Sequence, residues 1–146
     1  MTYCEVQGNL FEKAPRGYYL AHCISGDYAL GAGIAKTFNA LYDMRKKLHK
    51  HYPIPSGEEY ANVGSALLID EVFNLVSKPK CYHKPRLSDL GDALEDMKNL
   101  CIATDITRIA MPKIGAGLDK LDWESVKNLI LNIFEDTEID IVVYYL

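Results

Sequence analysis

The sequence contains no run of about 18 uninterrupted apolar residues, so no membrane-crossing helix is expected. Its start, Met1-Thr2-Tyr3-Cys4-Glu5-Val6, has neither a basic stretch nor an apolar core, and no export signal is expected. Positive charge is not in excess. Sixteen Lys and Arg against twenty Asp and Glu give a formal net charge of −4, which disfavours nucleic-acid binding by bulk phosphate neutralisation. The four cysteines, Cys4, Cys23, Cys81 and Cys101, form no Cys-x-x-Cys pair. They read as reduced thiols of a cytoplasmic protein, or an intracellular one with access to the nucleus in a eukaryote. His49-x-His51 and Cys81-x-His83 lack second pairs at ligand spacing, so no metal is expected. Gly-Lys-Ser/Thr and Gly-x-Gly-x-x-Gly are both missing, which disfavours a nucleoside triphosphatase and a dehydrogenase. No Ser-His-Asp or Cys-His set can be assembled.

What is there is one domain, residues 1–146, with 49% apolar residues and no repeat or linker. Strand-like and helix-like segments alternate throughout, the pattern of an α/β domain. Strands are predicted at Tyr3–Val6, Tyr18–Ile24, Val63–Asp70, Val72–Ser77, Ile109–Met111 and Ile139–Tyr144. Helical spacing follows Gly33 through Ile34, Ala35, Phe38, Leu41 and Tyr42. It recurs in Leu87, Leu90, Leu94, Met97 and Leu100, and again in Val126, Leu129, Ile130, Ile133 and Phe134. Asp122 is placed to cap the last helix, with Leu121 stapling onto Val126. The polar stretch Leu41–Tyr60, with Pro53 and Pro55, reads as a helix end followed by a surface loop.

Chemistry points to three segments. Gly31-Ala32-Gly33-Ile34-Ala35 and Pro112-Lys113-Ile114-Gly115-Ala116-Gly117-Leu118-Asp119 each follow an apolar strand and open toward a helix. Glycines let a ligand approach the backbone, and a helix start adds free N–H donors and a positive dipole end, a recipe for a diphosphate. A tight structural turn explains either loop equally well when it is taken alone. Two of them at strand-to-helix junctions, which gather at one end of a parallel sheet, favour the ligand reading. The third segment, Ser77 to Arg86, carries four cations and no carboxylate. It reads as a solvated basic loop, or as a setting in which like charges crowd Lys78 toward the nucleophilic amine. Asp119 is either a turn carboxylate or a proton-handling group, and Ser25 a turn hydroxyl or a ligand contact. His22 reads as a histidine satisfied within its strand rather than a catalytic base.

These residues resemble the macrodomain family, and within it the branch of the terminal ADP-ribose protein glycohydrolases. The resemblance is carried by Ala21-His22-Cys23-Ile24-Ser25, Gly31 to Ala35, His83-Lys84-Pro85, Met111 to Asp119, Trp123-Glu124 and Val143-Tyr144-Tyr145-Leu146. It extends over about residues 3–146. It implies a three-layer α/β/α macrodomain-like fold with a mixed central sheet and an ADP-ribose cleft. It implies removal of mono-ADP-ribose from glutamate or aspartate esters, with deacylation of O-acyl-ADP-ribose as a related activity. Lys78 would attack the anomeric carbon of the distal ribose, and Asp119 would move protons. Gly8, Asn9, Leu10, His22, Ser25, the two glycine loops (Gly31 to Ile34 and Lys113 to Leu118) and Leu146 would meet the substrate. No cofactor is implied. The implied partners are ADP-ribose and ADP-ribosylated proteins, met by a monomer.

One departure stands in Gly8-Asn9-Leu10, where many macrodomains carry an aspartate that accepts from the adenine amino group. Asn9 offers a neutral carbonyl instead, which bears on affinity more than on specificity. The rival readings are a non-catalytic ADP-ribose-binding module, a phosphatase for ADP-ribose 1″-phosphate, and a fold-only match holding another nucleotide.

Overall fold

The computed structural model describes all 146 residues. Eleven elements follow one another: β1 (Thr2–Gln7), α1 (Leu10–Lys13), β2 (Tyr19–Ser25), α2 (Gly33–Tyr42), α3 (Met44–His51), β3 (Ala66–Ile69), β4 (Val72–Lys78), α4 (Leu87–Thr104), β5 (Arg108–Pro112), α5 (Trp123–Phe134) and β6 (Asp140–Tyr145). One sheet runs in the order β1-β6-β5-β2-β4-β3. Every pairing is parallel except β3 with β4, so the sheet is mixed.

Period-two alternation splits the core into two halves, one on each face of the sheet. Ala21, Phe73, Leu75, Ile109, Met111, Ile141 and Val143 point to the face covered by α4 and α5, where Leu94, Met97, Val126, Ile130 and Phe134 meet them. Ile24, Val72, Val76, Ala110 and Tyr144 point to the other face, under Leu10 of α1, Phe38 of α2, and Met44 and Leu48 of α3. The three-layer expectation is met. The cap of α5 is as the sequence implied, with Asp122 accepting from the Ser125 backbone N–H.

Two sequence expectations need correction. The stretch after Leu41 is not simply a loop, because Asp43 turns the chain in the left-handed region (φ 53°) and α3 begins at Met44. Only Met44 and Leu48, one turn apart, anchor α3, and the other six side chains are all basic, so its apolar stripe is too narrow to register as periodicity. The strand expected from Val63 starts at Ala66. Gly64 (φ 89°) and the bond from Ser65 Oγ to the Asn62 carbonyl hold the preceding residues in a turn.

His22 is fully buried in β2, stacked on Phe38 with ring centroids 3.9 Å apart. Its Nε2 lies 2.6 Å from Asn74 Oδ1, whose amide in turn donates to the Leu67 carbonyl, while Nδ1 has no partner. Burial pulls the His22 pKa down to about 4, with the Asn74 bond acting weakly the other way. Between pH 6.5 and about 4 the unfolded chain therefore takes up a proton that the folded chain refuses, so stability falls as pH falls through this window. The full drop is about 3 kcal/mol. Denaturant unfolding at pH 7 and pH 4.5 should show it. His22→Gln, which keeps a donor toward Asn74, should flatten the slope, and an unchanged slope would assign the acid sensitivity to other groups.

Candidate active site

The connection leaving β2 climbs to the face of α2, whereas those leaving β4 and β5 go to the opposite face, to α4 and α5. Adjacent strands whose connections diverge leave a crevice beyond their carboxyl ends. Here that crevice is a cleft of about 750 Å³.

The first wall is the β2–α2 loop. Tyr28 (φ 57°) and Leu30 (φ 43°) both sit in the left-handed region, at a cost of about 1–2 kcal/mol each. Packing holds them there, since both are buried in the lower core and the Tyr28 hydroxyl donates to the Tyr52 carbonyl. The loop therefore presents Gly31, Ala32, Gly33 and Ile34 to the cleft from fixed anchors. Ala32 caps α2 without a side-chain acceptor, so the first-turn amides stay available to an anion.

The second wall is the β5–α5 loop, which contributes Lys113, Ile114, Gly115, Gly117, Leu118 and Asp119. The Gly117 and Leu118 amides donate to no atom of the chain. Lys113 Nζ lies over the rings of Tyr145 (4.9 Å) and Trp123 (5.7 Å), which fixes its ammonium by cation–π attraction. The glycines of the two walls differ in what they do. Gly33 (φ 58°) and Gly115 (φ 73°) are demanded by the backbone, and a Cβ at Gly33 would also lie 3.0 Å from Leu118 Cδ1. Gly31 and Gly117 have no such requirement. A Cβ at Gly117 would meet nothing within 4 Å, so the chain itself does not need a glycine there, and the open space belongs to the cleft.

At the floor, β2 carries a bulge at Ile24/Ser25 that sets Ser25 opposite Lys78 of β4. The Lys78 carbonyl accepts from the Gly26 N–H, which holds the end of β4 against the start of the loop. From there Lys78 Nζ donates to Asp119 Oδ1 at 2.7 Å, with 14% of the lysine side chain and 19% of the aspartate side chain exposed. The pair joins the floor of the cleft to its second wall through groups 41 residues apart in the chain. Of the two readings of this basic segment, crowding of Lys78 by Lys80 or Arg86 is not found, while Lys84 lines the same cleft. Lys80 is turned away to Glu59 (2.7 Å) and Arg86 to Asp89 (2.9 Å), so the nearest charge to Lys78 is a carboxylate.

Asp27 was not singled out from sequence, yet it ties the cleft together. Its Oδ1 accepts from Ser25 Oγ (2.6 Å) and the Ala29 N–H, and its Oδ2 from the Cys81 N–H. Burial pushes the Asp27 carboxyl up, but these three donors outweigh it and hold it below the usual range. An aspartate two residues before a free backbone N–H is an Asx-turn signal, and it was legible in Ser25-Gly26-Asp27-Tyr28-Ala29. Cys23 also lines the cleft. Burial, reinforced by the Asp119 carboxylate, pushes its thiol up to about 12, which leaves it protonated and a poor nucleophile at neutral pH.

Six of the expected residues lie outside the walls of this cleft: Gly8, Asn9, Leu10, His22, Ala116 and Leu146. His22 and Leu10 are buried in the core. Asn9 caps α1, its Oδ1 accepting from the Phe11 N–H, so the carbonyl expected to serve a ligand already has a partner. Leu146 is 93% exposed beyond β6. The remaining candidates, glycine loops, Ser25, Lys78 and Asp119, converge on one cavity.

Comparison with known proteins adds three findings. The profile of the Macro domain family matches residues 23–130. The human ADP-ribose glycohydrolase OARD1 is 38% identical over 143 residues, covering 97% of this chain and 90% of that protein. Among solved structures, the macrodomain of Mycobacterium tuberculosis DarG superposes with a TM-score of 0.82 at 20% identity, over 98% of this chain and 97% of that one. Thermosipho africanus DarTG, solved in complex with ADP-ribose, gives 0.78 at 15% identity, over 98% of this chain and 41% of that one.

Proposed function

As the chain belongs to the Macro domain family, we propose that its cleft binds ADP-ribose and that Lys78 and Asp119 release it from carboxylate esters on proteins. The activity class is hydrolysis. A relative named as an ADP-ribose glycohydrolase aligns along nearly the whole chain, including the segments that hold both residues. The observation that carries the mechanism is the 2.7 Å bond between Lys78 Nζ and Asp119 Oδ1 in the wall of a cleft with free amides on either side.

The reaction follows from those two groups. Asp119 takes a proton from the Lys78 ammonium. The neutral amine attacks the anomeric carbon of the distal ribose, and a C–N bond forms as the C–O bond to the acyl group breaks. The departing carboxylate takes the electron pair and receives the proton from Asp119. Water then displaces the lysyl nitrogen at the same carbon, its C–O bond forming as the C–N bond breaks, and gives a proton to Asp119. The released amine takes that proton back. The sum is ester plus water to free acid plus ADP-ribose, with both residues restored. Esters of glutamate, of aspartate and of small acyl groups share this chemistry.

The direct test is incubation with a glutamate-linked mono-ADP-ribosylated protein. Free ADP-ribose is expected as the product, and tight binding without release would return the chain to a binding module. The glycine argument gives a second test. Gly117→Ala puts a methyl group where only a ligand would meet it, so ADP-ribose affinity should fall at least about tenfold, or ~1.4 kcal/mol. The melting temperature should not move, because the backbone there is unstrained. Gly33→Val should lose both affinity and stability, because its φ excludes a branched residue. Normal calorimetric affinity in Gly117→Ala would place the diphosphate elsewhere.

A further inference from the structure

A second cleft of about 440 Å³ opens behind the first. The two share Lys78, His83 and Lys84, so the attacking amine stands in the partition between them. We propose that this second cleft is the subsite for the carrier, an acidic polypeptide segment around the ADP-ribosylated side chain. This rests on the reading of Lys78 as the attacking group.

The argument begins with reach. A reacting carbon must come within about 3–3.5 Å of Lys78 Nζ, and the bond that breaks lies one atom further on. The ADP-ribose half of the substrate fills the larger cleft with its glycine loops. The polypeptide half must therefore leave through an opening next to Lys78, and the second cleft is such an opening. Its charges are suited to carboxylates. Lys84 has no ion-pair partner and lines the second cleft beside Lys78 and His83. Arg86 lies at the entrance, 78% exposed and held by Asp89. Asp89 lines the same cleft, and Glu59 lies close by on Lys80. Carboxylates among the cations suit a peptide with spaced acidic residues better than the continuous charge of a phosphate backbone, which the net charge of −4 also opposes.

The test compares two substrates with one enzyme: O-acetyl-ADP-ribose, whose carrier is a single acetyl group, and an acidic peptide ADP-ribosylated on glutamate. Arg86 does not line the larger cleft. Arg86→Glu should lower kcat/KM for the peptide about fivefold, through KM, while leaving the acetyl substrate unchanged. Asp89→Asn, which frees Arg86, should move the peptide value the opposite way. Both effects should shrink at high salt. Circular dichroism checks the fold of each variant. Equal changes for both substrates, or none for either, would overturn the subsite. So would stronger inhibition of peptide cleavage by a single-stranded oligonucleotide than by an oligoglutamate of the same charge. Failure of the wild-type protein to cleave either substrate would instead overturn the hydrolase reading itself.

Discussion

Lys78→Ala is expected to lose turnover on the order of 10³-fold or more, while ADP-ribose affinity stays within a few-fold of wild type. The reason is that an attacking amine acts on the barrier, whereas ground-state affinity comes from the amides and glycines of the two loops. The alanine variant removes a charge as well as a nucleophile, so Lys78→Arg is the sharper form of the experiment. Arginine keeps a cation opposite Asp119 and has the better geometry for a carboxylate, but its guanidinium does not give up a proton to become an amine. If Lys78 served only to hold the substrate or to stabilise developing negative charge, Lys78→Arg would retain much of the activity. The covalent reading requires it to be as inactive as the alanine variant. Release of ADP-ribose from a glutamate-linked substrate, beside calorimetry with ADP-ribose, separates the two. Full turnover in either variant would remove the lysine mechanism outright.

Asp119→Ala should fail at a different stage. In the proposed mechanism its carboxylate, bonded to Lys78 Nζ, accepts the lysine proton in the first half of the reaction and activates water in the second. The first half can proceed slowly with water as the acceptor, because part of the Lys78 side chain is exposed. The second half then lacks its base, and the adduct should persist. Intact-protein mass spectrometry after incubation with substrate should show one added ADP-ribosyl mass, located on Lys78. Combining Asp119→Ala with Lys78→Ala should abolish it. An adduct that survives in the double variant would place the attack on another side chain. Cys23 is the neighbouring thiol to test, although burial and the Asp119 charge hold it protonated in the wild type. Removing Asp119 takes away one of those two causes, so the double variant is the control that matters.

Much of the architecture was legible in the residues. The β-branched run before Tyr144, the apolar strand around Ala21 and the stripe from Leu87 to Leu100 each bury one or two faces. A buried face imposes its period on the chain. Asp122 was legible as a cap because capping is a contact within one turn. The same locality explains the misses. α1 has four residues, and α3 rests on two buried side chains, Met44 and Leu48, so neither writes a period that stands out from its surroundings. The glycine loops were visible as motifs, but their glycines could not be ranked. Whether Gly117 answers to the chain or to a ligand depends on what lies within 4 Å of an absent Cβ, and that neighbourhood comes from other elements.

The sequence by itself determined the alternation of strands and helices and a residue set that resembles one family. Both depend on neighbours a few positions apart, or on order along the chain. Only the tertiary structure decided which of these residues meet. Lys78 and Asp119 are 41 positions apart and meet because β4 and β5 flank β2, parallel to it, and end on the same side. The partner of Lys78 turned out to be a carboxylate rather than a crowd of cations, since Lys80 and Arg86 found their own acids first. Asn9 caps α1, His22 packs in the core, and Asp27 gained a role that its sequence neighbours only hinted at. A side chain's period is set by the backbone it sits on, but its partner is set by where other strands end, and no stretch of sequence contains that distance.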